Sequence, residues 1–387
     1  MKTRILKTAV FVLMACVFMA MTGCWDAHEL NRISIVAGLG VDAAETEDEY
    51  SVSIQIGKSS QKQNEGDEKS EPFILIEASD KTMIMALEKL RLKNSRKLFF
   101  HHNQVLVIGA AQARKGIVPL LDFFLRDREM RLETWIVVAQ NTAHELLKVD
   151  LVQDRITAIA IADMMERESK NSPHLATNLL DLVSALMDEG SAAAVPLMDK
   201  SLESDKAKVS IIGTAIFDEG RMVGKLNMTE TNGFVLAKGR AKNLLLEVGM
   251  DEGSAVLCFT MIDSKANPKL SNEKASVSLD INAELLVIEL KGFDGISMND
   301  LHPQIEMAAQ DTISGLIEDT FKKTQQYKAD IYGFGTAIHR KYPREWKAIK
   351  DNWRDLYQDI KLEVKTKAKV TNTGKIADSL NMQENKK

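Results

Sequence analysis

The chain has 387 residues, with 50 Lys and Arg against 55 Asp and Glu, and a formal net charge of −5. That acidic balance excludes nucleic acid as a natural partner and gives the whole chain no attraction to an anionic lipid surface. Three cysteines are too few for a disulfide framework, so the core must hold a chain long enough for two or three ordinary domains.

The first 23 residues have the layout of an export signal. Lys2, Arg4 and Lys7 supply a positive start, and Ala9 to Met21 then run without a charge. That run is well short of the ~20 apolar residues needed to cross ~30 Å of hydrocarbon. Its end, Met21-Thr22-Gly23-Cys24, resembles a bacterial lipobox, with Met21 where leucine is usual. In that pattern cleavage falls between Gly23 and Cys24, and the Cys24 thiol carries a diacylglyceryl group. The other reading is an ordinary signal peptide with an incidental cysteine. Acyl chains anchor strongly, since each buried CH₂ contributes ~0.8 kcal/mol. With Cys16 discarded and Cys24 alkylated, only Cys258 remains and no internal disulfide can form. Loss of Lys2, Arg4 and Lys7 takes the mature charge to −8.

Ile33 to Asp42 reads as a strand whose glycines permit close backbone approach. After the polar turn Glu45 to Glu49, Tyr50, Val52, Ile54 and Ile56 alternate with Ser and Gln, which predicts a hairpin with one polar face. Ser59 to Glu71 reads as a mobile loop. Phe73 to Ile76 is a strand, and Ser79 or Asp80 caps a helix with the stripe Met83, Ile84, Leu87 and Leu90. Val105 to Ile108 and Trp135 to Val138 are short buried strands, with a helix near Ile117 to Leu125 between them. Helical patterns follow at Leu146-Leu147, Ile156 to Met165 and Leu179 to Met187, and Ala194 to Met198 returns to a sheet. The charged stretch Lys200 to Lys208 marks a major boundary. Beyond it, Ile211 to Phe217 and Val223 to Leu226 flank a turn at Asp218 to Gly220. Ala255 to Ile262 and Ala275 to Ile288 are long strands joined by a polar loop, Ser264 to Lys274. One helix face carries Ile305, Ala309, Ile313, Leu316 and Thr320. The last strand, Ile360 to Val370, exposes a row of lysines, as an edge strand does to resist aggregation.

Catalytic patterns are missing. Gly220 to Leu226 is one residue short of a phosphate loop and has Leu226 where a hydroxyl is required, so a hairpin turn fits better. Gly333-Phe334-Gly335 lacks the third glycine of a dinucleotide site. His101 and His102, adjacent at a strand entrance, point to opposite faces and cannot chelate one metal together. No cofactor and no metal ligand set is expected. Trp346, Ile349 and Trp353 recur at helical spacing, which predicts a core face.

Three stretches together resemble the C-subunit lipoproteins of spore germinant receptors, the Ger(x)C family. The first is Gly23-Cys24-Trp25-Asp26 with Glu29-Leu30-Asn31 and Val41-Asp42. The second is Leu98 to Gln104, continuing to Gly116-Ile117 and Phe123 to Asp127. The third is Asp330 to Gly335 with His339 to Trp346 and Trp353, and Gly213 to Phe234 also looks like the family. Ala27 stands where the family often has a basic or polar residue. The resemblance implies a lipoprotein on the outer face of the spore inner membrane, beside integral-membrane subunits A and B that take part in nutrient sensing. It implies no catalysis, and Cys24 is the residue to which it assigns a role.

The irregular alternation of strands and helices predicts an α+β fold, and the resemblance implies three mixed α/β domains, with largely antiparallel sheets expected after the signal peptide. The expected division is a signal peptide at 1–23, a mixed domain at 24–140, a mainly helical one at 141–205 with strand exchange with the first left open, a mixed one at 206–371 and a polar tail at 372–387. The expected function is that of a non-catalytic, lipid-anchored C subunit of a spore nutrient germinant receptor, with the nutrient-binding residues unassigned. The alternative is a substrate-binding lipoprotein of a transporter, which requires two similar lobes around a cleft; an exported enzyme ranks last.

Overall fold

The computed structural model describes Met14 and residues 32–58, 72–151, 156–172, 176–203, 206–271, 274–293 and 298–372. The expectations for the export signal, Gly23, Cys24, Trp25, the Ser59–Glu71 loop and the tail beyond Asn372 lie outside the described residues.

β1 (Ile33–Ala43) and β2 (Tyr50–Gly57) form the expected antiparallel hairpin, and β3 (Phe73–Asp80) lies antiparallel on the far side of β2. The short β4 (Lys97–Phe99) pairs with the start of β1. On the other side of β1 the pairing becomes parallel, through β5 (Val105–Gly109), β6 (Trp135–Ala139) and β7 (Ala193–Glu203). β8 (Lys206–Asp218) and β9 (Arg221–Asn227) complete this sheet antiparallel.

Helices cover both faces, which is why the central strands are apolar throughout. α1 (Met83–Lys93), α2 (Ala110–Lys115) and α3 (Val118–Arg126) share a core with Leu39, Val41, Ile54 and Ile108. α4 (Ala143–Leu147) and α5 (Thr157–Asn171) pack on the opposite face against Val105, Val107 and Val137. α6 (Leu179–Met187) returns to the first face. The glycines of β1 let α5 approach, since a Cβ on Gly38 would lie 2.4 Å from the Ala158 Cβ. The polar side of β2 is therefore buried rather than solvated. Gln55 donates to the Leu147 carbonyl at 2.8 Å and accepts from the Ala158 N–H at 2.8 Å, satisfying one helix end and one helix start.

α7 (Met228–Lys238) leads to a four-stranded sheet of β10 (Leu245–Met250), β11 (Gly253–Ser271), β12 (Lys274–Lys291) and β13 (Lys361–Asn372). The pairs are antiparallel except β12 with β13. α8 (Met298–Gln326), α9 (Phe334–Lys341), α10 (Pro343–Ile349) and α11 (Trp353–Gln358) share one core with its inner face. The chain is thus mixed α/β with mostly antiparallel sheets, as expected.

Several local expectations change. In the loop expected at Ser264 to Lys274, the described residues 264–271 and 274 are strand, paired out to Ser271 opposite Lys274, because Ala266, Pro268 and Leu270 keep every second side chain against the core. The charged stretch Lys200 to Lys208 is the far end of the β7–β8 hairpin, so the expected division at 205/206 falls between the paired residues Glu203 and Lys206. The helices of 141–205 lie on both faces of the large sheet, since their short apolar stripes need its strands to be buried. α1 starts from Thr82 rather than Ser79 or Asp80, and Ala86 rather than Ile84 faces its core.

Candidate functional site

The described residues of the three stretches that carry the resemblance lie at joints between elements. At the carboxyl end of β1, Asp42 accepts the N–H groups of Ala143 (2.8 Å) and His144 (3.0 Å), capping α4. Burial, the largest influence, raises its pKa above the usual carboxylate value. Open parallel sheets bind nucleotides beyond the carboxyl ends of their strands. Here that space is filled: a Cβ on Gly109 would lie 1.9 Å from the Asp42 carboxylate.

The second signature leads into β5 and ties its start to both neighbouring strands. Leu98 and Phe100 are buried, while Phe99 stacks on His101 with ring centroids 4.9 Å apart. His101 and His102 occupy an exposed turn rather than a strand entrance. Gln104 donates its N–H to the Ala37 carbonyl (3.0 Å) and accepts from the Trp135 N–H (3.0 Å), so it links β1 and β6.

The third signature forms the most elaborate joint. Asp330 is fully buried between α8 and α9, and its carboxylate accepts from Gly333 N–H (2.9 Å), Gly335 N–H (2.8 Å) and Trp353 Nε1 (3.3 Å). Gly333, at φ 74°, supplies the left-handed turn that brings those amides round. The Asp330 carbonyl accepts the N–H of Ala192, from the segment before β7. That segment, 188–192, clasps the start of α9. Thr336 donates its N–H to Gly190 (3.2 Å) and its hydroxyl to Asp188 (2.8 Å). The two backbones touch through glycines, since a Cβ on Gly190 would lie 2.4 Å from the Thr336 nitrogen. Lys350 with Glu189 (3.0 Å), and Arg354 with Asp218 (2.7 Å), brace the rim of an adjacent cleft of about 340 Å³.

Desolvation raises the Asp330 pKa to about 6, against the pull of the N–H donors and of the Lys238 charge. Lys238 is pushed down by its own burial and donates to the Tyr332 carbonyl (3.2 Å). Tyr332 and Phe334 stack at 5.2 Å, and Trp346 meets Trp353 edge-on at 5.3 Å. Trp346, Ile349 and Trp353 are core residues, as the helical spacing predicts. A buried carboxylate engaged by three donors from its own fold serves to position α9 and Trp353. Sequence reading missed the roles of Asp188, Gly190 and Asp330; the glycine pair and the aspartate three residues before Gly333 were the available signals.

The Gly220 to Leu226 segment is the β8–β9 hairpin, with Glu219 and Gly220 at φ 47° and 75°, so its glycines serve a turn. Among the described residues, no three His, Cys, Asp or Glu side chains are grouped to hold a metal ion, and no helix is long and apolar enough to cross a membrane. Cys258 is a free thiol, half-buried in β11.

Two family models match in tandem. Residues 26–200 match a spore germination protein N-terminal domain, and residues 212–374 match the spore germination B3/GerAC-like C-terminal domain. Spore germination protein KC of Bacillus subtilis is 26% identical over 392 residues, covering 95% of this chain and 96% of that protein. Spore germination protein B3 of the same organism is 21% identical, with 96% of this chain and 100% of that protein covered. The crystal structure of the GerBC protein shares the fold at a TM-score of 0.58 and 16% identity, covering 90% of this chain and 100% of that one. With both domain models matched in order along nearly its whole length, the chain belongs to this family of spore germination proteins.

Proposed function

We propose that the protein is the non-catalytic, lipid-anchored C subunit of a spore nutrient germinant receptor, held by Cys24 on the outer face of the spore inner membrane. There it acts with two integral-membrane subunits, A and B, to trigger germination. The observation that carries this reading is the ordered match of both spore germination domains from residue 26 to residue 374, directly after a lipobox-like segment. The joints support it physically: the signatures tie helices and strands together by buried hydrogen bonds, an arrangement suited to relaying a partner's movement. The alternative of a transporter's binding lipoprotein requires two similar lobes, whereas the described residues form one nine-stranded and one four-stranded sheet.

A Cys24→Ala variant tests the anchor. The expected result is release of the chain from spore membranes and weaker assembly with its partners. Full membrane retention with normal germination would sink the proposal.

A further inference from the structure

The net charge conceals a sharply divided surface. β13 turns Leu362, Val364, Ala368 and Val370 inward, and Lys361, Lys365, Lys367 and Lys369 outward. β11 adds Lys265 and Lys269 to the same outer face, in register with Lys365 and Lys361 across β12. The carboxylates among the lysines are Asp263, Asp280, Glu284 and Glu363, and Glu247 and Glu289 lie on the same face at the β10 end; Glu363 pairs with Lys365 at 3.2 Å, and Asp280 accepts from Asn267 at 2.8 Å. Among the described residues, Lys361, Lys367 and Lys369 have no ion pair. α8 covers the inner face, where Ser314 meets Thr366 at 2.8 Å, and turns the exposed carboxylates of Asp300, Asp311 and Asp319 outward. No described helix covers the outer face.

Edge protection accounts for lysines on β13. It does not account for Leu245 and Ile288, which lie on the same face at 58% and 54% exposure. A lysine-rich face with exposed aliphatic side chains at one end suits a layer that offers diffuse negative charge and a shallow apolar boundary. We propose that the outer face of the four-stranded sheet docks on an anionic lipid headgroup layer, with the acidic side of α8 directed away from it. This rests on the reading of the protein as membrane-anchored, and it fixes which way the C-terminal half faces once anchored. The spread of the lysines favours lipid over an acidic protein, because point charges without a cavity recognise charge density rather than shape.

The acylated full-length chain, incorporated into vesicles and treated with a membrane-impermeant amine reagent, provides the test. The vesicles are phosphatidylcholine alone or phosphatidylcholine with about one-third phosphatidylglycerol. Lys365, Lys367 and Lys369 should label at least ~3-fold more slowly on the anionic vesicles, and about half-molar salt should abolish the difference. The exposed-site variant K365E/K367E/K369E should abolish the effect on the labelling of Lys265 and Lys269. Equal labelling on both vesicle types, with the chain floating on both, would overturn the proposal and leave the lipid anchor standing. Flotation with anionic vesicles alone would support the face and sink the anchor. Protection in native spore membranes but not on anionic vesicles would identify a protein occupant and overturn the lipid assignment.

Discussion

Replacing Asp330 by asparagine should destabilise the protein by an amount that shrinks as pH rises. The Oδ2 atom of Asp330 accepts from both Gly335 and Trp353, and Oδ1 accepts from Gly333. An amide supplies an acceptor on one side and sets its NH₂ against donors on the other. Leaving one or two buried donors unpaired costs about 2–4 kcal/mol at acid pH. The wild-type carboxyl, however, titrates near 6 in the folded state against an ordinary value of 3.8. Its contribution to stability is therefore greatest when it is protonated in both states, and it falls as pH rises through that window, by about 3 kcal/mol in all. The substituted amide does not titrate and escapes this loss. Between about pH 4.5 and pH 7.5, the deficit of D330N should shrink by about 2 kcal/mol. Urea unfolding followed by tryptophan fluorescence, which Trp353 reports directly, measures both proteins across the range. Parallel pH profiles, or a deficit that grows with pH, would refute the reasoning.

Gly335→Ala places a Cβ 2.6 Å from the Gly190 carbonyl oxygen and from Trp353 Nε1. It should cost about 1–3 kcal/mol, seen as a lower thermal midpoint, and faster cleavage near Glu189 in limited proteolysis would show that the clasp has opened. Trp346→Ala removes a fully buried ring stacked on His339 and edge-on to Trp353. The expected loss is about 3–5 kcal/mol in chemical denaturation. Gln55→Ala orphans the Leu147 carbonyl and the Ala158 N–H, so it should cost about 2–4 kcal/mol and speed hydrogen exchange at Ala158 well beyond exchange in β12.

Much of the strand and helix inventory was legible because periodicity is strong where one face is apolar: Tyr50 to Ile56, Ile211 to Phe217 and the Ile305, Ala309, Ile313 stripe all fall in the expected elements. The misses have physical causes. α7 carries its own start and stop signals, the Asn227–Glu230 capping box and the left-handed Gly239. Its buried Gly233 and Thr231 blur the apolar stripe, because that surface packs directly on α8. β11 continues from Ser264 to Ser271, paired with β12, with Ala266, Pro268 and Leu270 turned inward, too weak an alternation to distinguish from a loop. Parallel pairing of β1, β5, β6 and β7 depends on contacts far apart in the chain, which local patterns do not carry. The joint at Asp330 was hidden for the same reason: Asp188 and Gly190 meet Thr336 across about 150 residues of sequence, and only the fold brings them together. Net charge misled in one respect, because it averages an acidic helix with a basic sheet face.

The central claim is that this body is a receptor subunit held at the membrane beside two integral-membrane partners. Its most direct test is detergent extraction of spore membranes followed by affinity purification of the tagged full-length chain. The account predicts recovery of two integral-membrane proteins in amounts comparable to the chain itself, and their loss when Cys24 is replaced by Ala. Recovery of the chain alone, soluble without detergent, would contradict it.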